Sequence, residues 1–312
     1  MTDATALPQG QRSSPTALLF ALAIFTSAVL VFSVQPLMGR LLLPLLGGSP
    51  SVWNTSMVFF QTALLVGYAY AHLLQRVGPL KWQVAIHLAL LVLALISFWP
   101  LGVSDMVGVP DTRHPIPWLL GSLALSVGAP FAVLSATAPL LQAWFARVRR
   151  GTAEGENPYV LYAASNIGSF VALIAYPALV EPLAGLSQQT LGWSIGYGLF
   201  ILVILGLGAV VWRGDKGVLD APALEPSTPV SWARRLTWIG MAALPSSLML
   251  GVTTHLSVDV ASAPFLWVIP LALYLLTFVI AFSRSPAISL TTTPIIQAAA
   301  AAVCAALMPM TN

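Results

Sequence analysis

The stretch Thr16-ALLFALAIFTSAVLVFSVQPL-Met38 decides the class of this protein, because it carries no charged side chain from end to end. A run of this kind matches the roughly 20 residues a helix needs to cross the hydrocarbon core of a bilayer, about twice what a barrel strand requires. Inside lipid, only helices and closed barrels satisfy every backbone N–H and C=O. The residues before the run are polar, lack an early cationic segment, and no small-residue cleavage site follows it. It therefore reads as a retained span and not as a removable signal peptide.

Similar apolar runs recur at about 54–75, 82–100, 116–142, 158–180, 190–212, 236–257, 263–283 and 287–309, which gives eight spans plus a ninth that reaches the last residues. The chain is 58% hydrophobic and 7% charged, against about a quarter charged for a soluble domain, so lipid is its main surrounding. With the N-terminus on the cytoplasmic side, Arg12, Arg76, Lys81, Arg147, Arg149, Arg150, Arg213, Lys216, Arg234, Arg235 and Arg284 fall inside, and only Arg40 and Arg113 fall outside. That asymmetry is the positive-inside pattern and fixes the expected orientation. The net charge of +3 is spread over short loops, which excludes a nucleic-acid partner and leaves the lipid bilayer as the first one. Cys304, alone in an Ala-rich stretch, excludes an intrachain disulfide and a cysteine-based metal cluster. No metal or other cofactor is expected.

The longest polar stretch, 213–235, holds Gly, Pro, Asp and Glu without apolar periodicity, and reads as a cytoplasmic linker. It divides a short N-terminal segment (1–15) and a first block of six helices (16–212) from the start of a second block (236–312). The blocks begin alike: Pro50-Ser-Val-Trp53 leads into helix two and Pro264-Phe-Leu-Trp267 into helix eight. Small polar clusters precede both, Ser33 with Gln35 and Thr253-Thr254-His255. Two such blocks of one orientation resemble the plan of the major facilitator superfamily, whose halves are parallel repeats. The loop Ala71-His-Leu73-Leu-Gln75-Arg76-Val-Gly78-Pro-Leu-Lys81 resembles that superfamily's loop between helices two and three. Here the expected acid is Gln75, the leading glycine is Ala71 and the basic residue comes one place late, which leaves the charge relay of the transporters incomplete.

Four stretches together resemble the membrane portion of the fused MFS/spermidine synthases, bacterial relatives of aminopropyltransferases. They are Val34-Gln35-Pro36-Leu37-Met38-Gly39-Arg40, Gly48-Ser-Pro50-Ser-Val-Trp53-Asn54-Thr55, Phe60-Gln61-Thr62 with Gly67-Tyr-Ala-Tyr-Ala-His72, and Asn157-Pro158-Tyr159 with Tyr162-Ala-Ala-Ser165-Asn166-Ile-Gly168-Ser169. The resemblance implies a multi-pass protein of the bacterial inner membrane, anchoring or feeding a cytosolic transferase domain that acts on decarboxylated S-adenosylmethionine and a polyamine. No glycine-rich strand-to-helix turn with a downstream acid occurs here, and Gly206-Leu-Gly208 lies inside an apolar run. No catalytic residue can be carried over, and the chain is expected to be an incomplete or split protein. The competing expectation is a stand-alone MFS-like secondary transporter of a small or cationic substrate.

The candidate substrate or gating residues are the polar groups of the spans. Pro36 and Pro44 are expected to break helix one and set Arg40 over a cavity mouth, where it could pair with Asp259, the acid at the analogous place after helix seven; the bland alternative is an interfacial anchor. Gln61, His72, Asn166 and His255 are expected to face the bundle interior as interhelical glue, with His255 also able to titrate near neutrality. Glu181 reads as a solvated acid at an outer helix end, or as a group that would meet a cationic substrate such as a polyamine. Trp53, Trp82, Trp99, Trp118, Trp193, Trp212 and Trp267 fall at predicted helix ends and read as interfacial belts.

Overall fold

The protein is described by a computed structural model covering residues 14–46, 50–110, 115–152, 155, 159–213, 230–256, 264–281, 289 and 291–307. Every regular element among these residues is helical. Besides a short 3-10 turn at Asp105–Val107, they are in chain order α1 (Pro15–Leu46), α2 (Pro50–Leu74), α3 (Leu80–Phe98), α4 (Pro115–Val148), α5 (Tyr159–Ala175, continued by Tyr176–Val180 and Glu181–Leu183), α6 (Leu186–Trp212), α7 (Trp232–His255), α8 (Pro264–Ala281) and α9 (Thr292–Leu307). Seven of them, α1 to α7, are long and apolar enough to cross a membrane. The eighth and ninth expected spans appear as helices, but their described apolar parts, Val268–Phe278 and Thr292–Cys304, are shorter than a span. The segment 1–13, the linker residues 214–229 and Asp259 lie outside the described residues.

Prolines open four helices: Pro15, Pro50, Pro115 and Pro264 each stand at the first helical position, where the missing N–H costs nothing and φ is already helical. Pro36 and Pro44 do not break α1, contrary to expectation; the helix runs through both to Leu46. Lipid makes an exposed break far costlier than one missing bond, and packing against neighbouring helices absorbs the defect. The ladder does change at the π-helical turns Ala124–Gly128 in α4 and Tyr176–Val180 in α5. Each lies within or just before a proline, Pro130 or Pro177, whose ring cannot donate to the preceding turn.

α1 is the central helix. It packs most extensively against α5 and also against α4 and α6, while α2 lies on α4, α3 bridges α4 and α6, and α8 reaches α5. Small residues set the closest approaches. A Cβ at Gly67 of α2 would collide with the Ala132 carbonyl oxygen of α4 and sit 3.0 Å from Ser135 Cβ. A Cβ at Gly168 of α5 would lie 2.6 Å from the Phe25 oxygen of α1. In lipid, where apolar surface gains little by leaving its surroundings, such contacts and interhelical hydrogen bonds are what hold helices together. Ser27 Oγ donates to Leu134 O at 3.0 Å and Trp193 Nε1 to Leu30 O at 3.0 Å, tying α1 to α4 and α6.

The core is a contiguous cluster through α1 to α6, with Phe20, Leu37, Phe131, Trp144, Tyr197 and Phe200 fully enclosed. In contrast, none of the described residues of α7 is buried. α8 differs from it, burying Val268, Ala272 and Leu275 in a smaller cluster with Leu173 of α5. α2 to α6 expose large apolar side chains such as Leu65, Leu93, Ile96, Leu199 and Leu202, a surface that suits hydrocarbon and not water.

Candidate functional site

Two polar assemblies occupy opposite ends of the six-helix block. The first is at the α2–α3 turn, inside the bundle. Buried positions on α2 recur as Val52, Ser56, Phe60, Ala63, Gly67, Ala71 and Leu74, the stripe of a 3.6-residue period. On α3 they recur as Leu80, Gln83, Val84, His87, Leu91, Ala94 and Phe98. The α3 stripe therefore carries two polar side chains, Gln83 and His87, one turn apart and both fully buried.

Their hydrogen bonds are made within the block. His87 Nδ1 lies 3.2 Å from the Tyr70 hydroxyl of α2, and Nε2 lies 3.2 Å from Thr137 Oγ1 of α4. Thr137 gives its only proton to the Val133 carbonyl at 3.3 Å, so its oxygen is left to accept. In the uncharged ring this assigns the proton to Nε2 and makes Nδ1 the acceptor of the Tyr70 O–H. Rings reinforce the contact: Tyr70 stacks on His87 at 6.0 Å, and Trp144 meets it edge-on at 5.9 Å. One turn along, Trp144 Nε1 donates to Gln83 Oε1 at 2.9 Å, and Gln83 Nε2 donates to the Val77 carbonyl. Arg147 Nη1 donates to the Gly78 carbonyl at 3.1 Å. The turn between α2 and α3 is thus held through its carbonyls by α3 and α4. None of these residues belonged to the sequence-derived candidates. The available signal was Gln83 and His87, four apart in an apolar run and so on one helix face.

The second assembly is at the opposite end. Arg40, near the C-terminus of α1, places Nε 3.6 Å from Glu181 Oε1 of α5, with the two side chains 41% and 25% exposed. The π turn before Glu181 carries Tyr176, which lies beside Arg40 and donates its hydroxyl proton to Gln189 Oε1 at 2.8 Å. Gln189 Nε2 in turn donates to the Ala184 carbonyl at 2.8 Å. Hence Arg40 is paired inside the first block; Asp259, its expected partner, lies outside the described residues. Glu181 is not the isolated solvated acid its sequence neighbours implied, because α1 and α5 pack side by side and bring their ends together.

The other candidates do not converge. Gln61 and His72 each stand one residue from the α2 stripe, beside Phe60 and Ala71, and are exposed. Asn166 Nδ2 turns back to the Tyr162 carbonyl of its own helix at 3.0 Å, and Gln35 Nε2 to Val31 at 3.3 Å. His255 is exposed at the end of α7. Among the tryptophans, Trp82, Trp99 and Trp212 are exposed near helix ends as a belt requires, whereas Trp118 and Trp193 are buried and donate to backbone carbonyls of Gly108 and Leu30. A cleft opens where α2 meets the second block, lined by Trp53, Asn54, Met57, Met249, Leu250, Thr253, Thr254 and Leu271.

No known family model matches the chain, and neither a curated protein nor a solved structure matches it significantly.

Proposed function

We propose that this chain is the membrane portion of a protein similar to the fused MFS/spermidine synthases, set in a bacterial inner membrane with its N-terminus in the cytoplasm. Its role on this reading is to anchor, or supply substrate to, an aminopropyltransferase-like domain outside this chain. The observation that carries it is how the block uses its buried polar groups. Gln83, Trp144 and Arg147 are bonded to one another or to the α2–α3 turn, and His87 bridges Tyr70 and Thr137. Such groups brace a scaffold; a substrate path would need them turned toward an opening. The experiment is to read the gene beyond codon 312 and assay membranes carrying its whole product for aminopropyl transfer to putrescine. A downstream or adjacent Rossmann-like segment with that activity supports the reading; a stop with no such segment beside it defeats it.

The second reading is an MFS-like secondary transporter, favoured by the cleft between α2 and α7–α8, since repeat interfaces are where such proteins hold substrates. Uptake of labelled spermidine by proteoliposomes of the whole gene product, abolished on blocking the cleft at Asn54→Trp, would select it.

A further inference from the structure

The first two turns of α7 read Trp232-Ala-Arg234-Arg235-Leu-Thr-Trp238, a pattern that neither the core nor the two polar assemblies uses. Its side chains stand out from the protein: Trp232 is 74% and Trp238 54% exposed, with Leu236 and Ile239 beside them. The Arg235 guanidinium carbon lies 5.0 Å from the Trp232 ring centroid, and that of Arg234 lies 5.9 Å from the Trp238 ring. Arg235 Nε donates to the Val230 carbonyl at 3.2 Å. Neither arginine forms an ion pair among the described residues, and α7 contains no Asp or Glu to neutralise them.

We propose that this segment binds the headgroups of anionic phospholipids at one face of the membrane. Three features point to that occupant. The indoles are amphipathic and settle at the headgroup level, while the rest of α7 is apolar enough to cross the hydrocarbon. Each guanidinium is held over a ring, which fixes its direction without consuming most of its N–H groups. The donors that remain are planar forks, the geometry that takes phosphate oxygens in pairs. A protein partner would need an acidic face shaped to two exposed turns; a phosphate-bearing bilayer surface supplies the complementary charge wherever the helix emerges. The inference stands whether or not the chain serves a transferase.

The test uses the purified full chain in neutral detergent, titrated with phosphatidylglycerol or phosphatidylcholine and followed by native mass spectrometry of the retained lipid. Phosphatidylglycerol should bind more tightly. R234Q/R235Q should weaken it about 30-fold, on the order of fivefold per arginine, and R234K/R235K, which keeps the charge, should lose less. Both arginines are exposed, so retained helicity by circular dichroism in the variants shows that the fold is intact. Equal binding of the two lipids, or an unchanged R234Q/R235Q, overturns the proposal. So does an equal loss in R76Q/R213Q, which would mean a diffuse field, or displacement by millimolar inorganic phosphate, which would mean a simple anion site.

Discussion

Replacing His87 by leucine tests whether the buried chain from α2 through α3 to α4 is a coupled unit. The substitution keeps an apolar volume at a fully buried position and removes two interhelical bonds, to Tyr70 at 3.2 Å and to Thr137 at 3.2 Å. Interhelical hydrogen bonds in membrane proteins contribute about 0.6 kcal/mol on average and up to ~1.7, so the loss should be about 1–3 kcal/mol. The consequences at the two partners differ. Thr137 keeps its own bond to Val133, whereas the half-buried Tyr70 hydroxyl loses the acceptor assigned to it. Tyr70→Phe in the His87→Leu background should therefore be nearly neutral or stabilising, while in the native background it should cost about 0.6–1.7 kcal/mol. The assay is a double-mutant cycle on the purified chain in mild detergent, by denaturant-induced unfolding followed by tryptophan fluorescence. A coupling energy below about 0.3 kcal/mol, the range of independent sites, refutes the arrangement. His72→Leu, on the exposed face of α2, is the control and should change stability by less than ~0.5 kcal/mol.

Gly67→Ala should destabilise by about 1–3 kcal/mol, because the new methyl meets the Ala132 backbone and not a side chain able to rotate away. Gly198→Ala on α6 meets nothing within 4 Å and should be neutral or stabilising by up to ~1 kcal/mol; equal effects at the two sites would contradict the α2–α4 approach. Trp144→Phe strips Gln83 Oε1 of its donor and should cost about 1–3 kcal/mol, with faster hydrogen exchange at the Val77 and Gly78 turn as its local sign. Arg40→Gln and Glu181→Gln should each cost no more than about 1 kcal/mol, since both groups are partly exposed. Those two effects should not add in the double variant, and full additivity would show that the pair does not form.

The helical membrane class and the first seven spans were legible because lipid imposes one rule on every span: a long apolar run and a helix are nearly the same statement. Which face of each helix turns inward was not legible, for the same reason. In water a buried face is apolar and an exposed face polar, but here Leu65 and Leu93 are exposed while Gln83, His87 and Thr137 are fully buried, so hydrophobicity points nowhere. Small residues keep directional information. Ala63, Gly67 and Ala71 mark the inward stripe of α2, and from that stripe Gln61 and His72 are displaced by one residue. Gln83 and His87, spaced by four in an apolar run, share one face of α3, whereas His72 has no polar neighbour on the buried stripe of α2. The Arg40–Glu181 pair had no local signal at all, because its two halves lie on different helices and meet only through the packing of α1 on α5.

The two ends of the six-helix block are held by different physics. At the α2–α3 turn, the buried side chains of Gln83 and Arg147 donate to the backbone carbonyls of Val77 and Gly78, so that opening the turn would strip two buried donors of their partners. At the other end an ion pair with Arg40 41% exposed can exchange its partners for water at small cost. Beside it lies the π turn of α5, and the π turn of α4 stands toward the end of that helix closed by the α3–α4 connection, where Ser126 accepts from Ser104 N. Any rearrangement of the block should therefore begin at the Arg40–Glu181 end, and the α2–α3 turn should move last. A membrane scaffold that must present a fixed surface to a domain on one side has reason to be rigid there, so this asymmetry supports the anchoring reading when the α2–α3 turn faces the cytoplasm.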